Sequence, residues 1–557
     1  MELTQSQHNH SGAIVILLLV FCGFTVMDIV DAVWFNHGGD LSNSRSRSIE
    51  EPLINPLLIS KLRLKWKFFT GDDTTATPAV AHGVVYFPSW NGYLYAVNAF
   101  SGALVWRQHL GELTGLSPAG VVVNVTVSRT TPVIAGHLLI IGIYGPAVVV
   151  AINRFSGALV WSTVLDTRPR SQITTSGTPY LEFVFILHRA LPLCTKAGFY
   201  VGVSSLEVTL PAEQCCTFRG SMAKLDIQTG AVLWRTYTIP DNAGKLGGYS
   251  GAAIWGSSPA IDTKRNLVYI GTGNLYNAPT EVQQCQANRN NQTIPSQPDQ
   301  CIAPDVHFDS ILALELDSGK IRWFRQFGGY DVFYFVCLVP NNPACPTGPN
   351  LDADFGEAPM LLTIFPNGTR RDVVVAVQKS GFAWALDRDT GDIVWFNVSI
   401  SEKILLAGPG GLEGGGVWGA ATDGKRVYTN IVNNAGVRFR LAPSNQTTTF
   451  GAWVALDANT GEIVWSTANP SNETAHGPVT VTNGVVFAGS VAPSGPFYAM
   501  DAETGTIIWT YNTNATVYGG ASVSYGCVFL GHGYSVSLAR FHPTWTRGNS
   551  VFAFCTV

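Results

Sequence analysis

The stretch ALDRDTGDIVW at 385–395 returns as ALDANTGEIVW at 455–465 and as AMDAETGTIIW at 499–509. Looser copies are AVNAFSGALVW (96–106), AINRFSGALVW (151–161), KLDIQTGAVLW (224–234) and ALELDSGKIRW (313–323). In all seven, Gly stands four residues before Trp, Ser or Thr stands just ahead of Gly, and Asp, Asn or Glu lies four before it. Repetition of this kind marks an array of like units. Each copy reads as a β-hairpin. A short apolar strand runs into the Asp, whose oxygen accepts turn N–H groups; Gly supplies a positive φ, and an apolar strand returns to Trp.

Outward from each hairpin the pattern continues. TPAVAHGVVYFPSWNGYLYAVN (77–98) places two further strands ahead of the first copy. Four strands per unit make a propeller blade. The Trp residues are spaced by 44 to 89 residues, which indicates loop insertions between like blades. Trp66 in LRLKWKFFTG (62–71) lies 40 residues before Trp106, and SVFAFCTV (550–557) stops where a hairpin turn would begin. The prediction is an all-β, eight-bladed β-propeller of four-stranded blades over 61–557. Its N-terminal strand completes the last blade and removes the open sheet edges.

Composition narrows the function. The 557 residues are 46% hydrophobic and 13% charged, with a net charge of −4. Disordered chains carry more charge and less apolar surface. A near-neutral chain lacks the basic footprint of a nucleic-acid binder. One apolar run, Ala13–Val26, has the length of a signal-peptide core and falls short of the roughly 20 residues of a span. Residues 1–34 read as a signal peptide or an N-terminal anchor, and 35–60, with NSRSRS, as a polar linker. Acceptor sequons start at Asn124, Asn291, Asn367, Asn397, Asn445, Asn472 and Asn514. They point to a secreted or extracellular glycoprotein, with membrane contact limited to that possible anchor. Close spacing in loop-like text suggests the disulfides Cys285–Cys301 and Cys337–Cys345. Cys527–Cys555 would tie the C-terminus, and Cys215–Cys216 would be a vicinal pair. GGGVWG (414–419) is followed by hairpin text, so it is no dinucleotide loop. His188, His307, His476, His532 and His542 stand alone and read as core or turn residues.

With its Trp-ending repeat, its eight blades and the segments CCTFRGSM, YSGAAIWGSSPAID, DADFGEAPMLL and VAVQKSGFAWALDRDTG, the chain resembles the quinoprotein alcohol dehydrogenases, in their polyvinyl-alcohol-dehydrogenase-like branch. The resemblance implies pyrroloquinoline quinone (PQQ) and Ca²⁺ on the propeller axis. By position, Asn274 in YIGTGN and Glu207 in VGVSSLE match the Ca²⁺ ligands. Trp255 matches the Trp that stacks on the quinone, and Lys379 the cation near the quinone oxygens. Cys215 and Cys216 would form a rigid plate against the cofactor. The family's catalytic Asp falls in GGYDVFYFVC, where Tyr334 occupies the base position and Asp331, which matches an earlier Asp, is the candidate catalytic residue in its place. Tyr has an ordinary pKa near 10 and is a poor base. Asp352, Asp354 and Glu357 in DADFGEAP form another acidic cluster, read as a solvated loop.

Two functions follow from these residues. The first is a secreted oxidoreductase acting on CH–OH groups of a small or polymeric alcohol. It would depend on PQQ and Ca²⁺ and pass electrons to an external acceptor, because no haem motif is present. The second, motivated by Tyr334, is a non-catalytic propeller that binds a glycan, polymer or protein partner.

Overall fold

The computed structural model describes residues 32–556 apart from 48–50, 121, 186–191, 257, 289–298, 340, 347, 349 and 397–409. Residues 1–31 and the sequons at Asn291 and Asn397 lie outside the described residues. Eight four-stranded antiparallel blades form the molecule, as the repeat predicts. Blade 1 runs from Ala79–Ala81 to Leu104–His109, blade 2 from Val133–Ala135 to Leu159–Asp166, and blade 3 from Thr178–Phe185 to Val232–Tyr237. Blades 4 and 5 begin at Ala260–Asp262 and Met360–Ile364; blades 6 and 7 begin at Ala421–Thr422 and Thr480–Thr482. In blade 8, Leu62–Phe69 pairs with Ser550–Thr556, so the two ends of the chain share one sheet.

The repeat does two jobs. Within a hairpin, Asp501 Oδ1 accepts from the N–H groups of Glu503 and Thr504 at 3.0 and 2.9 Å, and Gly505 turns the chain at φ 71°. Between blades, the Trp lies against the Gly of the next unit. A Cβ on Gly505 would sit 2.5 Å from Trp465, and one on Gly391 would sit 2.6 Å from Trp323. The indole N–H then donates to a carbonyl of that next unit: Trp465 to Ala502 at 3.0 Å, Trp323 to Arg388 at 2.9 Å, and Trp66 to Ala99 at 2.9 Å. Trp509 closes the ring by donating to Leu62 O at 3.2 Å. The Gly therefore meets a turn requirement and a docking requirement at once, which is why no other residue stands there. Apolar clusters fill the gaps between neighbouring blades; that between blades 6 and 7 joins Tyr428, Trp453 and Trp465 to Val481, Val486 and Tyr498.

Residues 32–47 differ from the expected boundary at 34 and from the linker reading of 35–60. Ala32–Trp34 is a strand paired with Ala79–Ala81 of blade 1. From there the chain crosses the ring. Its carbonyls at Phe35, Leu41, Ser42, Ser44 and Arg45 accept from Ile134, Ile261, Leu361, Thr422 and Val481, which belong to blades 2, 4, 5, 6 and 7. Arg45 is 1% exposed, although the sequence suggests a solvated NSRSRS tract. Its guanidinium donates to the carbonyls of His37, Val479 and Ala521 and to Thr480 Oγ1. Polarity misled the reading: the inward ends of the blades present backbone N–H groups to the segment's carbonyls, and carbonyls and a hydroxyl to Arg45, so a polar segment satisfies them.

Four disulfides are present: Cys215–Cys216, Cys285–Cys301, Cys337–Cys345 and Cys527–Cys555. Among the described residues, no helix is long and apolar enough to cross a membrane.

Candidate cofactor site on the propeller axis

A cavity of about 640 Å³ takes its walls from blades 2 to 8. Only a position on the ring axis meets so many blades. Trp255, Asn274, Asp352, Asp354, Lys379 and Trp418 all line it.

These residues come from segments that enter or leave inner strands, and one carboxylate links them. Asp354 Oδ1 accepts from the Asn274 N–H at 2.5 Å; Oδ2 accepts from Trp255 Nε1 at 2.9 Å and from Lys379 Nζ at 3.0 Å. Two glycines make the approach possible. A Cβ on Gly273 would lie 2.7 Å from Asp354 Oδ1, and one on Gly356 would lie 2.8 Å from the Trp255 ring. Lys379 also donates to both oxygens of Asp352 at 3.0 Å, and its ammonium lies 5.0 Å from the centre of the Trp255 ring. Burial opposes the charge on Lys379, but Asp352 and then Asp354 outweigh it and hold the ammonium above its ordinary range. Burial drives the Asp352 carboxyl well above the usual carboxylate range, against the pull of Lys379.

Asn274 holds its side chain by donating from Nδ2 to the carbonyls of Leu275 and Phe333 at 2.7 and 2.8 Å. That arrangement turns its amide oxygen into the available hard donor. The buried Glu207 accepts from the N–H groups of Thr217 and Phe218 at 2.6 and 2.8 Å. It stands behind the cavity wall, whose surface is formed by its neighbours Leu206 and Val208. The Tyr276 phenol is held well above its usual range by burial and then by Asp354, Glu207 and Asp352, so these three acids gather around one ring.

Several residues singled out from the sequence sit elsewhere. Tyr334 donates to Ala344 O at 2.7 Å and faces a neighbouring pocket of about 460 Å³, together with Cys215. Cys216 is buried in the apolar cluster beneath, with its sulfur 3.6 Å from Glu207 O. The vicinal pair thus stands beside the axial cavity and does not line it. Asp331 is fully buried and accepts from the Ala353 N–H at 2.7 Å. Burial pushes its carboxyl up to about 6. It supports the 352–354 backbone without reaching the cavity. Conversely, DADFGEAP is no solvated loop: Asp352, Asp354 and Glu357 are 4, 5 and 0% exposed. Sequence matching missed this because the disulfide-closed loop of Cys337–Cys345 separates Tyr334 from Asp352. It also missed the cationic wall. Arg129 and Arg170 line the cavity, and the Arg129 guanidinium lies 4.1 Å from the centre of the Trp418 ring.

A family model, PQQ_2, described as outer membrane protein assembly factor BamB, matches residues 61–325 and 379–535. The chain belongs to the PQQ_2 family. Polyvinylalcohol dehydrogenase from a Pseudomonas species is 28% identical over 505 residues, covering 87% of this chain and 68% of the relative. The polyvinylalcohol dehydrogenase of Sphingopyxis sp. (strain 113P3) is 29% identical, covering 84% of this chain and 65% of the relative. The chain thus spans about two thirds of the length of these relatives. Among solved structures, quinohemoprotein alcohol dehydrogenase from Comamonas testosteroni superposes with a TM-score of 0.69 at 18% identity, over 98% of this chain and 84% of that one. This PQQ_2 protein shares that fold.

Proposed function

We propose that this PQQ_2 protein is a quinoprotein alcohol dehydrogenase that oxidises the CH–OH group of an alcohol, polyol or polymer and passes electrons to an external acceptor. The names of the polyvinylalcohol dehydrogenases and the quinohemoprotein alcohol dehydrogenase support the class. The observation that carries it is the linked set Trp255–Asp354–Lys379–Asp352 beside Asn274 on the axis.

The residues fit PQQ and a hard divalent cation. The Trp255 face suits a flat tricycle. Arg129 and Arg170 suit an acidic ligand. Asp352, Asp354 and the nearby Asp331 outnumber the single ammonium of Lys379, an imbalance that a Ca²⁺ ion held by Asp352 and the Asn274 amide oxygen would relieve; Glu207, behind the wall and bonded to Thr217 and Phe218, does not face it. When bound, the quinone supplies the hydride-accepting centre. The chain's own part is then proton handling and orientation. Asp352 takes the substrate hydroxyl proton, because it is the cavity carboxylate whose side-chain hydrogen bonds all go to one ammonium, that of Lys379. Asp354 is fully engaged and serves to fix Trp255 and Lys379. A non-catalytic propeller was motivated by Tyr334, and Asp352 removes that motive.

Secretion and glycosylation belong to the same proposal. Asn124, Asn367, Asn445, Asn472 and Asn514, the described sequon residues, are all exposed.

The test is a titration of the purified chain with PQQ, with and without Ca²⁺, followed by tryptophan fluorescence and dye-linked alcohol oxidation. Saturable, Ca²⁺-dependent quenching that is lost in Trp255→Ala, with turnover lost in Asp352→Asn, is expected. Tight binding without oxidation of any alcohol would overturn the enzymatic reading.

A further inference from the structure

Away from the Asp352–Lys379 pair, the same cavity has a second chemical corner. Glu413 precedes blade 6, His476 leads into blade 7, and His542 follows the 3₁₀ turn Ser537–Phe541 in blade 8. Glu413 Oε2 lies 3.3 Å from His476 Nε2 and 2.8 Å from His542 Nε2, and one donor atom from each residue falls within 4.8 Å of the others. Both imidazoles are buried, at 1 and 8% exposure.

We propose that Glu413, His476 and His542 form a binding site for a borderline divalent transition ion of the Zn²⁺ class, with its open coordination position facing the axial cavity. Four observations converge on it. The donor set is two imidazole nitrogens and one carboxylate, which suits Zn²⁺ and its neighbours and is too soft for Ca²⁺. Donors bound to one tetrahedral ion at about 2.0–2.1 Å stand roughly 3.3 Å apart, the separation seen between Glu413 and His476. His542 Nε2 is buried and stands 2.8 Å from Glu413 Oε2 out of hydrogen-bond alignment, so the two donor atoms converge on one spot that an ion could occupy. His476 Nδ1 is engaged with Thr474 Oγ1 at 2.9 Å, which leaves Nε2 as the nitrogen directed at the site.

The rings are also fixed before any ion arrives. His542 stacks on Trp545 at 4.0 Å and 7°, and the same indole meets His476 edge-on at 4.8 Å. Tyr518 also stacks on His476, at 5.9 Å and 28°. Preset ligands of this kind lose little freedom on binding. Glu413 and His476 line the cavity and His542 stands behind them, so three protein ligands would close one side and leave the fourth position to water or a ligand from the cavity. Nothing in this argument depends on the quinone.

Residue patterning hides such a site. The three positions are 63 and 66 residues apart and obey no ligand-spacing motif, and each is isolated in its own loop.

The experiment uses the full chain, stripped with a chelator and dialysed against Zn²⁺ in excess Ca²⁺, with bound metal counted by elemental analysis. One Zn²⁺ per chain is expected, and Co²⁺ in its place should show the visible bands of a low-coordinate site. His542→Gln and Glu413→Gln should each lose the retained metal and the bands at unchanged circular dichroism, whereas Asp352→Asn should keep both. Zn²⁺ should raise the Tm of the parent chain and leave that of His542→Gln unmoved. Retention unaffected by His542→Gln and Glu413→Gln, or displacement of Zn²⁺ by equimolar Ca²⁺, would overturn the proposal. Loss of alcohol oxidation alone would not bear on it.

Discussion

At the scale of single residues, the site turns on how two neighbouring aspartates divide their work. Asp354 has its oxygens engaged by Trp255, Lys379 and the Asn274 amide, while Asp352 has Lys379 as its hydrogen-bonding partner. Replacing Asp352 with Asn should lower kcat by about 10²–10⁴ with little change in Tm, since general-base contributions fall in that range; steady-state rates beside a thermal melt check this. Lys379→Met should act differently. It strands two buried carboxylates and should cost about 3–5 kcal/mol, read from urea unfolding. Adding Asp352→Asn to Lys379→Met should recover part of that loss. Trp255, Asn274 and Lys379 were legible in the sequence because they lie in short motifs whose neighbours keep register. Asp352 was not, because a loop insertion moved it. The Glu413 corner was not, because proximity across three blades leaves no trace in spacing.

At the scale of the element, the unit is a hairpin that carries its own docking point. The Gly of one hairpin receives the Trp of the preceding blade, and both its positive φ and its missing Cβ are used. Gly391→Ala should destabilise by roughly 2–5 kcal/mol, combining about 1–2 for a left-handed L-residue with about 1–3 for overpacking. Trp323→Phe should cost about 1–2 kcal/mol through the lost bond to Arg388 and the smaller ring. Both are measured by chemical denaturation. This level was almost wholly readable, because turn chemistry and Trp placement are local. The elements that escaped are those the repeat does not encode, such as the strand Ala32–Trp34, whose partner lies in blade 1.

At the scale of the whole molecule, the ring is held by a shared sheet and by the polar segment on its axis. Glu357 sits fully buried beside this segment and accepts from Thr429 Oγ1 at 2.9 Å. Burial pushes its carboxyl up to about 8, against Thr429 and Arg45. Because the folded-state pKa is raised, the protonated form belongs to the fold. Its contribution is fully present below about 4.5 and is lost as pH rises through about 8. Stability should therefore decline across that window by roughly 5 kcal/mol, and Glu357→Gln should flatten the decline in a series of melts. Arg45→Met should remove bonds to four partners spread over the segment itself and blades 7 and 8. A loss of about 3 kcal/mol or more is expected, with a broadened transition if the blades uncouple.

The axial segment has a consequence for biosynthesis. Residues 32–46 leave the ribosome before any blade exists, yet their partners extend as far as Val481 and Ala521. A stretch made ahead of every blade is therefore among the last to settle. It can lock only once seven of the eight blades have been translated and have taken their places. A chain that stalls or loses a blade leaves this polar thread unseated and open to proteases. The covalent order of the chain thereby makes completion of the ring a condition for its final closure.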